Sequence, residues 1–435
     1  MTQMQIEQIL AKANDGQAQA QFLLSQICLQ KRDLDGMVQW LRRASEQGLA
    51  SALDALGHCY EKGQGVPRDA QSALQHYERA LAAGSALAAY RKAELLYKSR
   101  HGPSKEQEIR ELLFHAASQN VMPALRAIGY LALQQPSSWP LAIDCFRRAA
   151  TSGDVISNFN LAWCLLQKPD GDAGVAEAAY CLRRAAAAHY PYAQAMLSAL
   201  PQSQASAAPA IASAPLQIDT ALPLYPAPQE AEHTTISKDP GIKLFDNVLT
   251  VVDCAHLMML SLPSLRRAHV IDPEGGRDGQ VSDIRTSMST YLPFAVVDFI
   301  ARYIELKIVG ATGEQLETSE PMSILRYAPG EYYRPHVDYF NPKLKTSREL
   351  LEDGGQRTAS AVTYLAAPAA GGGTRFPNLN LSVPAVTGST LWFRNCHADG
   401  RIDERSLHAG DTVDDGEKWV VTKWFRERPT SYLEN

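Results

Sequence analysis

The chain of 435 residues has no apolar run approaching the roughly 18 residues that a membrane-spanning helix needs. It has no excess of one charge: 42 Lys and Arg face 47 Asp and Glu, a net of −5. The basic footprint of a nucleic-acid binder is missing, and so is a polybasic patch for an anionic membrane. Cysteine is sparse. The seven residues 28, 59, 145, 164, 181, 254 and 396 are odd in number, scattered, and contain no Cys-x-x-Cys pair. That excludes a disulfide scaffold and a Cys-rich zinc site, and leaves most of them as small buried hydrophobes. Met1-Thr-Gln-Met-Gln-Ile-Glu7 shows no basic stretch leading into an apolar one, so no secretory signal is read. The expectation is a soluble, cytoplasmic protein with no nucleic acid and no membrane as partner.

What is present is a globular composition, 45% hydrophobic and 20% charged, in a chain long enough for two or three domains. Five segments align: Trp40–Gly48, His76–Gly84, Leu112–Asn120, Cys145–Gly153 and Cys181–His189, at offsets of 36, 36, 33 and 36 residues. The fifth position of each is alanine: Ala44, Ala80, Ala116, Ala149 and Ala185. Four residues past each segment stands another small residue: Ala52, Ala88, Ala124, Ser157 and Ala193. Small side chains at fixed places let paired helices approach closely. Gly48, Gly84 and Gly153 stand where a helix C-cap favours a left-handed residue. Each unit is a helical hairpin unable to bury its apolar face alone, so stacking gives an all-α solenoid over residues 1–200. The period and the phrase Gly63-Gln-Gly-Val-Pro-Arg-Asp69 resemble Sel-one-like repeats, relatives of the tetratricopeptide repeat. That resemblance implies a concave surface of the kind that binds proteins or peptides.

Composition changes at Pro201. Residues 201–240 hold seven prolines among Ala, Ser and Gln, the mark of an extended linker. For Leu222-Pro-Leu-Tyr225 within it, a loop packed on one domain is the plainer reading. From residue 241 to 435 the period changes to mixed helix and strand. A strand from Ile242 leads into a helix around Cys254–Leu262, and Ser289–Val309 reads as helix. Short β-like runs follow at Met322–Tyr327, Thr358–Leu365, Leu381–Val383, Thr390–Arg394 and Trp419–Phe425. The fold class is an α+β domain with a sandwich or jelly-roll core behind an all-α solenoid.

Two His-x-Asp triplets occur where chance predicts roughly 0.6, too small a difference for either to mean anything alone. His336-Val-Asp338 ends a strand-like segment, where residues i and i+2 share a face. His408 lies seventy residues on, and Lys418 ten further. Two histidines and one carboxylate make the facial triad of non-haem Fe(II) oxygenases, which leaves positions open for a chelating co-substrate and oxygen. The lysine is well placed to clamp a carboxylate. The second triplet, His397-Ala-Asp399, reads as a solvated polar loop. Gly371-Gly-Gly373 lacks the ending of a phosphate loop and reads as a turn. Plainer readings stand beside the others: Tyr332, Tyr333 and Tyr339 as packing aromatics, Lys418 as a surface lysine, Arg285 as an ion-pair partner.

An ordered set of motifs runs through the C-terminal part. It comprises Arg285-Thr-Ser287, Arg326-Tyr-x-x-Gly330-x-x-Tyr333-x-x-His336-x-Asp338, Gln356-Arg357-Thr-Ala-x-x-x-x-Tyr364-Leu365, Gly371-Gly-Gly-Thr374-x-Phe376-Pro377, Pro384-x-x-x-Gly388-x-x-Leu391-x-Phe393-x-Asn395, His408-Ala409 and Gly416-Glu-Lys418-Trp419-x-x-x-Lys423-Trp424. Over residues 241–429 this resembles the prolyl 4-hydroxylase family of 2-oxoglutarate- and Fe(II)-dependent dioxygenases. The resemblance implies a double-stranded β-helix core, Fe(II) on His336, Asp338 and His408, and 2-oxoglutarate held by Lys418 and Tyr327. It places a co-substrate hydroxyl at Ser360 and puts Tyr333 and Trp424 near the substrate proline. Three departures stand out: Gly373 where the family has Glu, Thr412 where it often has Pro, and Arg426 where a His is common. Arg426 would then lie on the substrate side.

The implied activity is hydroxylation of a peptidyl proline, with molecular oxygen consumed, ascorbate as a candidate reductant, and the repeats recruiting a protein or peptide substrate. Two alternatives remain at this stage: hydroxylation of another side chain or a free amino acid, and an interaction scaffold whose oxygenase domain is silent.

Overall fold

The repeated segments form the second helices of stacked hairpins. In the computed structural model, which describes residues 2–99, 102–167, 171–200, 208, 216, 222–226, 231–268 and 285–431, the helices run in order. They are α1 (Gln3–Asn14), α2 (Ala18–Gln30), α3 (Leu34–Glu46), α4 (Ala50–Lys62), α5 (Ala70–Ala82), α6 (Ala86–Lys98), α7 (Glu106–Ser118), α8 (Met122–Leu133), α9 (Trp139–Thr151), α10 (Val155–Gln167), α11 (Gly171–Ala187) and α12 (Ala193–Ser198). Helices α2 and α3, α4 and α5, α6 and α7, and α8 and α9 pair closely. All ten small residues of the repeat pattern are fully buried. At two further points the approach is closer still. A Cβ on Gly57 would lie 2.8 Å from the Tyr77 ring, and one on Gly129 would lie 2.8 Å from the Phe146 ring. Only glycine admits those aromatic rings. The turn after each repeated segment is left-handed at Gly48, Gly84 and Gly153, as expected. Asn120 (φ 57) and His189 (φ 55) take the same conformation at the equivalent places. The loop phrase has a local cause: Gly63 ends α4 with φ 69, and the Asp69 carboxylate accepts from the amides of Gln71 and Ser72 to start α5.

The second unit is built on an eight-stranded sheet of order β1-β2-β11-β7-β14-β5-β4-β3 and a four-stranded sheet of order β10-β9-β12-β6, both antiparallel; β8 and β13 pair separately. The strands are β1 (His233–Ser237), β2 (Ile242–Phe245), β3 (Arg266–Arg267), β4 (Met288–Leu292), β5 (Met322–Tyr327), β6 (Tyr333–His336), β7 (Arg357–Ala366), β8 (Ala370–Gly371), β9 (Thr374–Phe376), β10 (Leu381–Val383), β11 (Thr390–Arg394), β12 (His408–Gly410), β13 (Val413–Asp415) and β14 (Lys418–Arg426). Helices α13 (Val251–Ser261) and α14 (Phe299–Thr312) pack on β7 of the large sheet, and α15 (Lys345–Glu352) precedes β7. Leu325, Tyr327, Val362, Tyr364, Phe376, Leu391, Phe393 and Val420 fill the core between the sheets. This is the jelly roll expected from the strand pattern.

Three local expectations need correction. Residues 289–292 extend β4 rather than start a helix. Pro293 interrupts the run, and α14 begins only where the Asp298 carboxylate caps the Ala301 amide. The expected boundaries, 1–200, 201–240 and 241–435, also shift. The compact units are Met1–Cys181 with Ala205–Leu224, and Leu182–Gln204 with Tyr225–Asn435. Within the second unit, Tyr192 donates its hydroxyl to the Leu365 carbonyl. Residues 233–237 of the expected linker form the edge strand β1, paired with β2. Most of 201–230 lies outside the described residues.

Candidate active site

Cross-strand register brings the two histidines together. His408 opens β12 directly across from His336, which closes β6. Their ring centroids lie 4.2 Å apart. Asp338, two residues past His336, turns its carboxylate between them: Oδ1 is 3.8 Å from His336 Nε2, and Oδ2 is 3.7 Å from His408 Nε2. One donor atom from each residue lies within 4.8 Å of the others. Both imidazoles have their Nδ1 atoms on backbone carbonyls, His336 on Arg334 O at 2.9 Å and His408 on Ser406 O at 3.0 Å. That fixes the tautomer and leaves the Nε2 lone pairs facing the carboxylate. Burial, and then the neighbouring His408, push the His336 imidazole down to about 3. Burial opposes charge on Asp338, but His408, His336, Arg357 and the Ser360 hydroxyl outweigh it and hold the carboxyl below its ordinary range. Two imidazoles that turn their Nε2 atoms toward one carboxylate fit a divalent metal with open positions.

The carboxylate is held from behind. Ser360 on β7 donates to Asp338 Oδ2 at 2.7 Å, and Asn395 donates to Ser360 Oγ at 2.9 Å. Gln356 fixes the chain just past Asp338, accepting from the Phe340 amide at 2.7 Å and donating to its carbonyl at 2.8 Å. Arg357 pairs with Glu320 at 2.6 Å and lies 4.0 Å over the Trp424 ring. Phe393 and Phe376 close the apolar side, the first with its centroid 4.7 Å from His408.

Lys418 is buried at the start of β14, paired in register with Tyr327. Its ammonium lies 5.4 Å from the Tyr327 ring and 5.5 Å from the Tyr364 ring, with one long hydrogen bond of 3.4 Å to Gly373 O. Desolvation pushes it down to about 8, although Asp411 works the other way. Asp411 itself pairs with Arg375 at 2.9 Å. Among the described residues no carboxylate forms an ion pair with this lysine, so a buried cation awaits an anion.

Residues 322–426 match the family model of the 2OG-Fe(II) oxygenase superfamily. Residues 38–49, 50–85, 140–154 and 155–190 match that of the Sel1 repeat. Prolyl 4-hydroxylase 1 of Arabidopsis thaliana is 33% identical over 210 residues, covering 45% of this chain and 72% of the relative. The chain belongs to the prolyl 4-hydroxylase family. Prolyl 4-hydroxylase 2 of the same plant is 33% identical over 211 residues, 44% of this chain and 68% of the relative. Viral collagen prolyl hydroxylase from Paramecium Bursaria Chlorella virus-1, solved with 2OG, aligns at 24% identity and a TM-score of 0.32 over 42% of this chain and 95% of its own. The protein is a 2-oxoglutarate-dependent dioxygenase carrying Sel1 repeats.

Seen as a member of this family, the chain brings most of its expected site residues together. His336, Asp338 and His408 converge, and Lys418 and Tyr327 lie side by side. Tyr333 stacks on His336 at 3.5 Å, with Arg285 over its other surroundings at 5.4 Å. Trp424 pairs in register with Ser360, and its indole N–H is buried without an acceptor among the described residues. Two expectations change. The Ser360 hydroxyl is spent on Asp338 rather than free for a co-substrate. Arg426 is not on the substrate side: the ladder shifts register between Phe425 and Arg426, and the guanidinium bonds Gly355 O at 2.6 Å, the carbonyls of Leu350 and Asp353, and Glu320 at 3.0 Å. Sequence reasoning missed the roles of Asn395 and Gln356, though both stood inside motifs already noted.

The second triplet does not form a pair. Asp399 bonds Arg401 at 2.7 Å. His397 instead faces Asp403 at 3.6 Å, near Asp239, and Arg405 already bridges both carboxylates.

Proposed function

We propose that the protein hydroxylates a proline in an extended peptide or protein, using Fe(II) and 2-oxoglutarate. His336, Asp338 and His408 would hold the iron, which when bound supplies the oxidation of a C–H bond coupled to decarboxylation of the co-substrate, with molecular oxygen consumed. Lys418 would pair with the distal carboxylate of 2-oxoglutarate, and the Tyr327 ring forms the wall beneath it. Ser360 and Asn395 hold the Asp338 carboxylate in place, and Phe376 and Phe393 keep water from the His408 side. Tyr333 and Trp424 would flank the proline, the indole N–H offering a donor to a substrate carbonyl. The observation that carries this reading is the buried, ion-pair-free Lys418 on the same core as the two-histidine, one-carboxylate cluster.

With Arg426 turned into the protein's own backbone, the departure that favoured a different substrate loses its weight. The relatives' names support proline. The repeats would recruit the substrate protein and raise its concentration at the site. No helix among the described residues is long and apolar enough to cross a membrane.

The test is purification under nitrogen, addition of Fe(II), 2-oxoglutarate and ascorbate, and a panel of proline-containing peptides. Succinate release with a mass gain of one oxygen on proline is expected. An oxygen added to another residue, with proline untouched, replaces the substrate assignment; absence of both iron and 2-oxoglutarate binding by calorimetry replaces the enzyme with a scaffold.

A further inference from the structure

The repeat unit already holds a short peptide without helix or strand, and that peptide is the chain's own. Leu222 and Leu224 are fully buried, although they stand in the segment richest in proline. The segment 222–226 has no helix or strand. Two repeat side chains hold its backbone. Tyr97, near the end of α6, donates its hydroxyl to Leu224 O at 2.7 Å. Arg110 on α7 donates from Nη1 to Leu222 O, while its Nη2 is anchored by Glu106 at 2.5 Å.

The chemistry is that of peptide capture. Bonds to main-chain carbonyls read no side chain, so they would accept any short peptide. Selectivity comes from the two buried positions, residues i and i+2 of a segment that bends at Leu224 and Tyr225. Pro223 fixes its own φ and biases Leu222 away from the helical region, which lowers the entropy lost on docking. Nothing in this arrangement requires the ligand to be covalently attached to its receptor.

We propose that the surface around Tyr97 and Arg110 is a binding site for short apolar-proline-apolar peptides, and that Leu222–Leu224 fills it in cis as a displaceable strap. Tethering gives the strap an effective concentration of the order of millimolar, so a free peptide must compete against it. The proposal concerns the repeat unit alone and stands whether or not the oxygenase acts on proline.

The experiment uses the full chain and a labelled synthetic peptide of residues 219–228, followed by fluorescence anisotropy. Leu222→Asp with Leu224→Asp evicts the strap. This variant should bind the peptide saturably and at least about tenfold more tightly than the unaltered chain. Adding Tyr97→Phe and Arg110→Ala should weaken that binding at least about tenfold, and a peptide with both leucines changed to aspartate should not bind. A folded double variant that fails to bind, or equal affinity with and without the strap, overturns the proposal. A second measurement covers the case in which the double variant does not fold. Hydrogen exchange on the unaltered chain should show the amides of Leu222, Leu224 and Tyr225 losing protection in excess peptide, and unchanged protection overturns the proposal equally.

Discussion

The Ser360 hydroxyl lies 2.7 Å from Asp338 Oδ2 and is the carboxylate's side-chain hydrogen-bond donor. Groups of this kind fix the lone-pair direction that a metal meets. Ser360→Ala should therefore lower Fe(II) affinity by about 10–100-fold while leaving the far-ultraviolet circular dichroism unchanged. Calorimetric titration with Fe(II) under nitrogen measures it; unaltered affinity means that the hydroxyl serves packing alone.

Lys418 gives a prediction with opposite signs for folding and binding. Removing a buried cation that has no ion-pair partner relieves desolvation, so Lys418→Met should leave the melting temperature of the ligand-free protein unchanged or raised. Affinity for 2-oxoglutarate should fall by roughly ten- to a hundredfold, the loss of a charge-assisted bond of about 1.5–3 kcal/mol. A variant that melts earlier and binds normally makes the lysine structural.

The same lysine sets a pH window. Its folded value is depressed to about 8 from an ordinary 10.5. Between those values the unfolded chain binds more protons than the folded one, so ligand-free stability gains with rising pH across that interval. Co-substrate affinity runs the other way and should weaken above about pH 8 as the ammonium is lost. Calorimetry at pH 7 and pH 9 on the unaltered protein and on Lys418→Met checks it, since only the former should change.

Arg426 should be a stability residue. Arg426→Ala leaves the carbonyls of Leu350, Asp353 and Gly355 short of a donor, while Glu320 keeps Arg357, at a cost of roughly 1–3 kcal/mol. Urea unfolding measures this. The KM for a proline peptide should not change in the fraction that remains folded.

In the repeats, Gly57→Ala and Gly129→Ala should each destabilise by about 1–3 kcal/mol, because the added methyl meets the Tyr77 or Phe146 ring. Thermal melts detect it, with the larger loss where the ring has less room to move.

Much of this was legible in the residues. Period and small-residue spacing announced the hairpins, because helix contact distance is set by side-chain size. The i, i+2 pairing of His336 and Asp338 and the cation at 418 announced the site, because strand alternation fixes a face. What stayed hidden depends on partners remote in sequence. The alternation that put Ser360 on the site face could not tell that β6 would deliver Asp338 to it. Arg426 follows a register shift that no local pattern encodes, and its acceptors are backbone carbonyls, which carry no sequence signal. Residues 289–292 read with the following helix because Tyr291 and Leu292 run on into the apolar segment from Phe294; Pro293 and Asp298 set the boundary. Edge strand β1, His-Thr-Thr-Ile-Ser, has too little apolar alternation to stand out from a proline-rich surround.

The facing of His408 and His336 across β12 and β6 ties chemistry to alignment. Sliding one short strand by a single residue, about 3.3 Å, would point one imidazole out of the barrel while the strands stayed paired. Such a misfolded molecule would look native by its circular dichroism and yet take up no iron. Metal uptake is thus a gauge of whether the barrel has closed in the right alignment, sensitive to an error that bulk measures of folding pass over.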